Sequence, residues 1–275
     1  MKSYLIIFIS LLITPCYAGD NNTMNTTTNN TYISDAVIDN LSGKKIYFGH
    51  QSVGNNIIDG ISRVVASSNT INLNIKNIND VSTYDVPVFA HSEIGENGDS
   101  NSKFKDFSKI IHEGPGDKAD LAFLKLCYWD VRRQTDVVEV FNNYQKTIES
   151  LKKQYPDTVF IHVTVPLMSH SDTFISKIKR MIKPDNSDLD NIKRNELNDM
   201  LKEKYSGNEP VFDVARIEAT LPNGTLATFN KDGKSYYYLP DEYTNDGGHL
   251  NDHGRKHVAE QLLISLARFA DGDYK

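Results

Sequence analysis

The sequence predicts an α/β domain in which a mainly parallel sheet carries helices on both faces, a three-layer α/β/α sandwich. Two patterns lead there. Apolar runs of strand length recur along the chain and are nearly continuous rather than alternating, as in strands buried on both faces. Amphipathic patterns of helical length lie between or after them, the arrangement that builds parallel strand–helix–strand units. A third observation permits the size: of 275 residues, 39% are apolar and 24% charged, enough for one full core.

Taken in order, the first residues, "MKSYLIIFISLLITPCYAGD", read as an export signal with Lys2, an apolar run from Tyr4 to Ile13 and a small-residue end at Ala18. The run falls short of the roughly 20 apolar residues that span a bilayer. Thr14 and Pro15 before Cys16 fit a lipid-anchoring site poorly. Residues 1–18 are therefore expected to be a cleaved signal peptide, leaving a periplasmic or secreted protein with no stable membrane insertion. Residues 19–33 form an Asn/Thr-rich tract with too little apolar surface to fold, a disordered leader to one domain over 34–275. Cleavage removes Cys16, so Cys127 has no disulfide partner and reads as a packed thiol.

Strands are predicted at "KIYFG", "INLNIKNI", "ADLAFLKL", "TVFIHVTVP" and "PVFDV". Helices are predicted at "VGNNIIDGISRVVASS", "SKFKDFSKIIHE", "TDVVEVFNNYQKTIESLKKQY", "NSDLDNIKRNELNDMLKEKY" and "DHGRKHVAEQLLISLARFA". Thr135 is the expected cap of the third helix and Pro156 its stop. "HSEIGENGDS" reads as a loop before the second helix. "TLATFNKDGKSYYYLP" breaks the alternation, and Asp232-Gly233 marks a β-hairpin insertion near 225–239. The net charge of −6, with no basic stripe, argues against a nucleic-acid partner.

In an open parallel sheet, ligands bind beyond the carboxyl ends of the strands. Ser52 lies just after the first strand, where it is either the cap of the following helix or a nucleophile. In "DEYTNDGGHLNDHGRKH", Asp246 precedes His249 by three residues, and Gly247-Gly248 between them permit a tight path. A buried carboxylate bonded to one ring nitrogen would fix the tautomer, freeing the other nitrogen to take a serine proton. His249, His253 and His257 recur every four residues, a spacing open to zinc, but Gly254 weakens the helix and packing histidines are preferred. Arg132 and Arg133 follow Asp130 at the same edge, as an anion contact or as solvated loop charges. Asp213 reads as a helix cap or turn residue. Lys125, inside an apolar run, snorkels to the edge or pairs with a carboxylate. The tyrosines of "YYYLP" stack on sugar rings or pack within the hairpin.

Together these segments resemble the SGNH (GDSL-like) hydrolases, serine esterases with a flavodoxin-like α/β/α fold. The resemblance spans about Lys44 to Leu266 and rests on four short segments. "GHQSVG" is similar to the first block and implies Ser52 as nucleophile. "ENGDSNSK" is similar to the second and implies an oxyanion hole from the N–H groups of Ser52 and Gly98. "DGGH" is similar to the last and implies Asp246 as orienting acid and His249 as base. Two departures stand out: His50-Gln51 replaces the family's Gly-Asp before the serine, and Trp129 in "FLKLCYWD" stands where the family supplies an oxyanion-hole asparagine. Tyr128 or Asn97 is then the candidate third donor, and Tyr128 and Trp129 are candidate substrate contacts. The resemblance implies hydrolysis of small-molecule or glycan carboxylic esters, acyl or acetyl, through an acyl-enzyme, with no metal or organic cofactor. The alternatives are an O-acyltransferase using the same residues and a non-catalytic glycan-binding protein that retains the fold.

Overall fold

Strand β1, Lys45–His50, sets the layering through its alternation. Ile46 and Phe48 enter one apolar cluster and Tyr47 enters another on the opposite face. The structure is a computed structural model that describes residues 35–67, 73–170 and 187–274. The expected signal peptide and Asn/Thr leader lie outside them. No helix among the described residues is long and apolar enough to cross a membrane.

Five further strands lie parallel to β1: β2 (Ile75–Asn77), β3 (Val88–Glu93), β4 (Leu121–Leu124), β5 (Val159–Val163) and β6 (Val211–Phe212), in the order β2-β3-β1-β4-β5-β6. Without the three-residue edge strand β2, this is the 2-1-3-4-5 winding of flavodoxin-like sheets. The chain leaves β1 in one direction and later returns to build in the other. That reversal opens a crevice at the carboxyl end of β1, where Ser52 follows. The α/β/α class and the hairpin are as predicted: β7 (Thr228–Lys231) and β8 (Lys234–Tyr237) pair antiparallel around Asp232 and Gly233, both at positive φ.

Helices α1 (Asp35–Ser42), α2 (Val53–Ala66) and α7 (Asp252–Ala270) cover one face; α3 (Ser100–Glu113), α4 (Val137–Gln154) and α5 (Ser187–Tyr205) cover the other. In α2, Val53, Ile57 and Ile61 fall four residues apart on one buried stripe; Val258, Leu262 and Leu266 do the same in α7. Each such fully buried aliphatic side chain is worth roughly 1.5–3 kcal/mol. Where the two helices cross, a Cβ on Gly60 would lie 2.4 Å from the Arg255 carbonyl oxygen, so only glycine permits the approach. This contact, reinforced by Arg255–Asp59 at 2.9 Å, brings the first and last parts of the domain together.

Two expectations are corrected, and one helix is additional to those predicted. Residues 91–93, read as the start of a loop, belong to β3, which pairs with β1 along its whole length. Only Val88, Phe89 and Ala90 are apolar there, too short a run to signal a central strand, and the polar half reaches the sheet edge. The cap of α4 is Asp136, whose carboxylate accepts the Val138 and Glu139 N–H groups at 3.0 and 3.1 Å; Thr135 Oγ1 accepts from Arg132 N–H instead. A short helix, α6 (Val214–Ala219), follows β6 unpredicted, and Asp213 caps it through Arg216 N–H at 3.2 Å.

Candidate active site

Between β1 and α2 the chain must turn sharply, and Ser52 takes the strain with φ 52° and ψ −106°, a region L-residues rarely occupy. Ser52 stands at the N-cap position of α2, yet its hydroxyl makes no capping bond. Instead Ser52 Oγ lies 2.7 Å from His249 Nε2, nearly 200 residues away in sequence. The turn is wedged from below: a Cβ on Gly54 would fall 2.3 Å from His50 Cβ. His50 is buried, held neutral with its pKa lowered to about 3 by burial and then by His91 and Lys125, and its Nε2 lies 3.0 Å from His91 Nδ1. Gln51 Nε2 donates to the Gly95 carbonyl at 2.9 Å.

The histidine is fixed from its other side. Asp246 Oδ2 lies 2.7 Å from His249 Nδ1, while Oδ1 accepts the main-chain N–H groups of Gly248 and His249 at 2.9 and 2.8 Å. Burial works to raise the Asp246 pKa, but these hydrogen bonds and the neighbouring imidazole outweigh it and hold the carboxyl well below its usual range. An ionised Asp246 accepts a hydrogen bond from Nδ1–H, which keeps the ring proton on Nδ1 and leaves the Nε2 lone pair facing Ser52 as an acceptor. Gly247 sits at φ 87°, and a Cβ on Gly248 would meet the Tyr128 ring at 2.9 Å. The loop is tied to α2 by Leu250 N–H donating to Asn56 Oδ1 at 3.1 Å. The expectation of a buried carboxylate is not met, since the Asp246 side chain is 57% exposed and that of His249 46%. Both border an open depression of about 520 Å³, with Asn245, Asn251 and His253 on its walls.

The turn after β4 approaches His249 as well. Tyr128 meets the His249 ring edge-on at 5.9 Å between centroids, and its phenol lies near the Ser52 side chain. Burial raises the phenol pKa, so it keeps its proton at neutral pH. Asp130, buried, clamps this turn to the neighbouring loop: Oδ2 accepts Lys103 Nζ at 2.6 Å and Cys127 N–H at 2.7 Å, and Oδ1 accepts Gly98 N–H at 2.7 Å. The last bond corrects the oxyanion assignment, because the Gly98 N–H is already committed to a carboxylate. Asn97 Oδ1 accepts Lys103 Nζ at 3.0 Å. Ser52 N–H has no acceptor among the described residues.

The remaining candidates disperse. Trp129 packs beside Gly98, whose Cβ position lies 3.4 Å from the indole Cδ1. His253 Nδ1 is 3.8 Å from Glu242, while His257 Nε2 lies 3.1 Å from the Ile217 carbonyl, so the histidine repeat points to three different partners. Lys125 is buried, donates to the Leu126 carbonyl at 3.0 Å and has its pKa lowered to about 8 by burial. Cys127 is a buried free thiol. Tyr236 pairs with Phe229 inside the hairpin. Sequence reading missed Asn56, the Lys103–Asp130 clamp and buried Arg194, whose Nε donates to the Tyr128 carbonyl at 2.9 Å. A lysine or arginine inside a helical pattern gives no sign that it turns inward; Asn56 gave none beyond its nearness to Ser52.

No protein-family model matches the sequence, and no curated protein matches it. Solved structures do. A member of the lipolytic protein G-D-S-L family from Veillonella parvula is 15% identical over 79% of this chain and 94% of its own, with a TM-score of 0.43. The psychrotrophic esterase EstA from Pseudoalteromonas sp. is 10% identical, covering 83% of this chain and 99% of its own at a TM-score of 0.47. Est24, a carbohydrate acetylesterase from Sinorhizobium meliloti, is 11% identical, covering 82% and 100% at 0.43.

Proposed function

We propose that the protein is a serine hydrolase that cleaves carboxylic esters through an acyl-enzyme on Ser52. The observation that carries this reading is the unbroken chain Ser52–His249–Asp246, with both links at 2.7 Å and the serine held in a strained backbone conformation. A structural serine at a helix start needs neither the strain nor the imidazole.

In this mechanism Ser52 Oγ attacks the ester carbonyl carbon as its proton passes to His249 Nε2. The Nδ1 proton stays on His249, donated to the Asp246 carboxylate, whose charge stabilises the imidazolium. The carbonyl oxygen, now an oxyanion, is received by Ser52 N–H and the Tyr128 phenol at the positive end of α2. His249 then gives its proton to the departing alkoxide. A water molecule repeats the sequence: its proton goes to His249, its oxygen attacks the acyl carbon, and Ser52 Oγ leaves with the proton. Transfer to a second alcohol would use the same groups, but the openness of His249 and Asp246 to solvent favours water as acceptor. Acyl or acetyl groups on a glycan are the substrate class that fits the exported location expected from residues 1–18. The test is hydrolysis of a panel of short acyl esters by wild type, Ser52→Ala and His249→Ala. Turnover that needs both residues supports the proposal; turnover indifferent to Ser52 contradicts it.

A further inference from the structure

We propose that Arg132, which lies over the Trp129 ring beside the Ser52 site, is a subsite for a carboxylate, so that preferred substrates are esters carrying one. The inference rests on the hydrolase reading and names its substrate class. One short turn, Tyr128–Asp130, divides the labour. Tyr128 turns to His249 and Gly248, while Trp129 leans on Gly98 and stays 47% exposed. Arg132 Cζ stands 4.8 Å from the centre of the Trp129 ring. A guanidinium held over an aromatic ring keeps its planar fork of N–H donors, the geometry that fits a carboxylate.

Neighbouring arginines meet different fates. Arg133 is engaged by Asp190, through its N–H at 2.7 Å and its guanidinium at 3.8 Å. The Arg132 guanidinium has no acidic partner among the described residues, although acidic residues outnumber basic ones, 36 to 30. Two carboxylates on the segments around the nucleophile are committed elsewhere, Glu93 to Asn55 at 2.8 Å and Asp246 to His249. An arginine held by a ring but left without a counter-ion, two residues beyond the turn that carries Tyr128, has the chemistry of an anion receptor. The competing role for Trp129, a platform for a neutral sugar, is weakened because Arg132 already lies over one face of its ring.

The test compares matched esters that differ only in charge. In one pair the carboxylate is in the acyl half (the 4-nitrophenyl monoester of glutarate against its methyl ester). In the other it is in the alcohol half (4-acetoxybenzoate against its methyl ester). Wild type is expected to favour the anionic member of at least one pair in kcat/KM. Arg132→Gln should lower that anionic-to-neutral ratio about tenfold, the low end for a charge-assisted hydrogen bond at a half-open site. Arg132→Lys should restore part of it. Raising ionic strength from about 0.01 to about 1 M, which shortens the screening length from about 30 to about 3 Å, should erode it in wild type. A ratio equal in wild type and Arg132→Gln for both pairs overturns the subsite while leaving the hydrolase reading standing. No turnover of any ester, with no labelling of Ser52 by a fluorophosphonate, removes both.

Discussion

Replacing Asp246 by asparagine exchanges a carboxylate for an amide of the same shape, and the hydrogen bonds dictate the outcome. The amide oxygen can keep the Gly248 and His249 N–H groups that Oδ1 accepts at 2.9 and 2.8 Å, so the loop should hold its path. The second oxygen, 2.7 Å from His249 Nδ1, becomes an NH2 group. Two donors cannot face each other, so the imidazole moves its proton to Nε2 and presents an N–H where Ser52 needs a lone pair. The developing imidazolium also loses its counter-charge. Charges about 4 Å apart interact by about 4 kcal/mol near a protein surface and about 1 kcal/mol in water. With the Asp246 side chain 57% exposed, the value falls toward the lower figure. The same exchange costs about 10⁴ in kcat where the carboxylate is buried; in this open site a loss of about 10³ is expected. Initial rates on a short acyl ester, with thermal midpoints to confirm folding, measure it. A folded variant within about tenfold of wild type would refute the assignment of His249 as a base oriented by Asp246.

Three further outcomes are expected. Tyr128→Phe keeps the ring against Gly248 and removes only the hydroxyl, so kcat should fall about 10²–10³ with KM little changed; unchanged kcat would exclude the phenol as oxyanion donor. Ser52→Gly should be inactive yet about 1 kcal/mol more stable than Ser52→Ala, because glycine relieves φ 52° and alanine does not; equal denaturation midpoints would contradict the strain. Buried Glu218 has its pKa raised from 4.5 to about 8, chiefly by burial. The folded protein then binds a proton that the unfolded chain has released, so this group's contribution to stability falls as pH rises from about 4.5 to about 8. Relative to wild type, Glu218→Gln should gain stability across that window, measured by urea denaturation; a constant difference would refute it.

Much of the architecture was legible because burial writes itself into sequence. The near-continuous runs around Phe48, Phe123 and Ile161 and the helical stripe through Leu262 and Leu266 mark the sheet and its cover. Strand β3 was hidden because the strand beside the nucleophile carries polar His91, Ser92 and Glu93 at the working edge. Ser52, Asp246 and His249 could be singled out by residue type and spacing, and the structure brings them within hydrogen-bond reach of one another. The fate of the Gly98 N–H was not legible. It depends on Asp130 folding back across 32 residues of sequence, and on Lys103 being buried rather than solvated. The exposure of Asp246 was equally hidden, since two glycines permit a tight loop without saying which side of it faces solvent.

The central claim is that Ser52 is activated by His249, and fluorophosphonate labelling tests it most directly. The account expects one phosphonyl adduct on the intact protein, mapped to Ser52 by peptide mass spectrometry and lost in both Ser52→Ala and folded His249→Ala. A folded wild-type protein that takes no label, or one labelled as fast without His249 as with it, would contradict the claim.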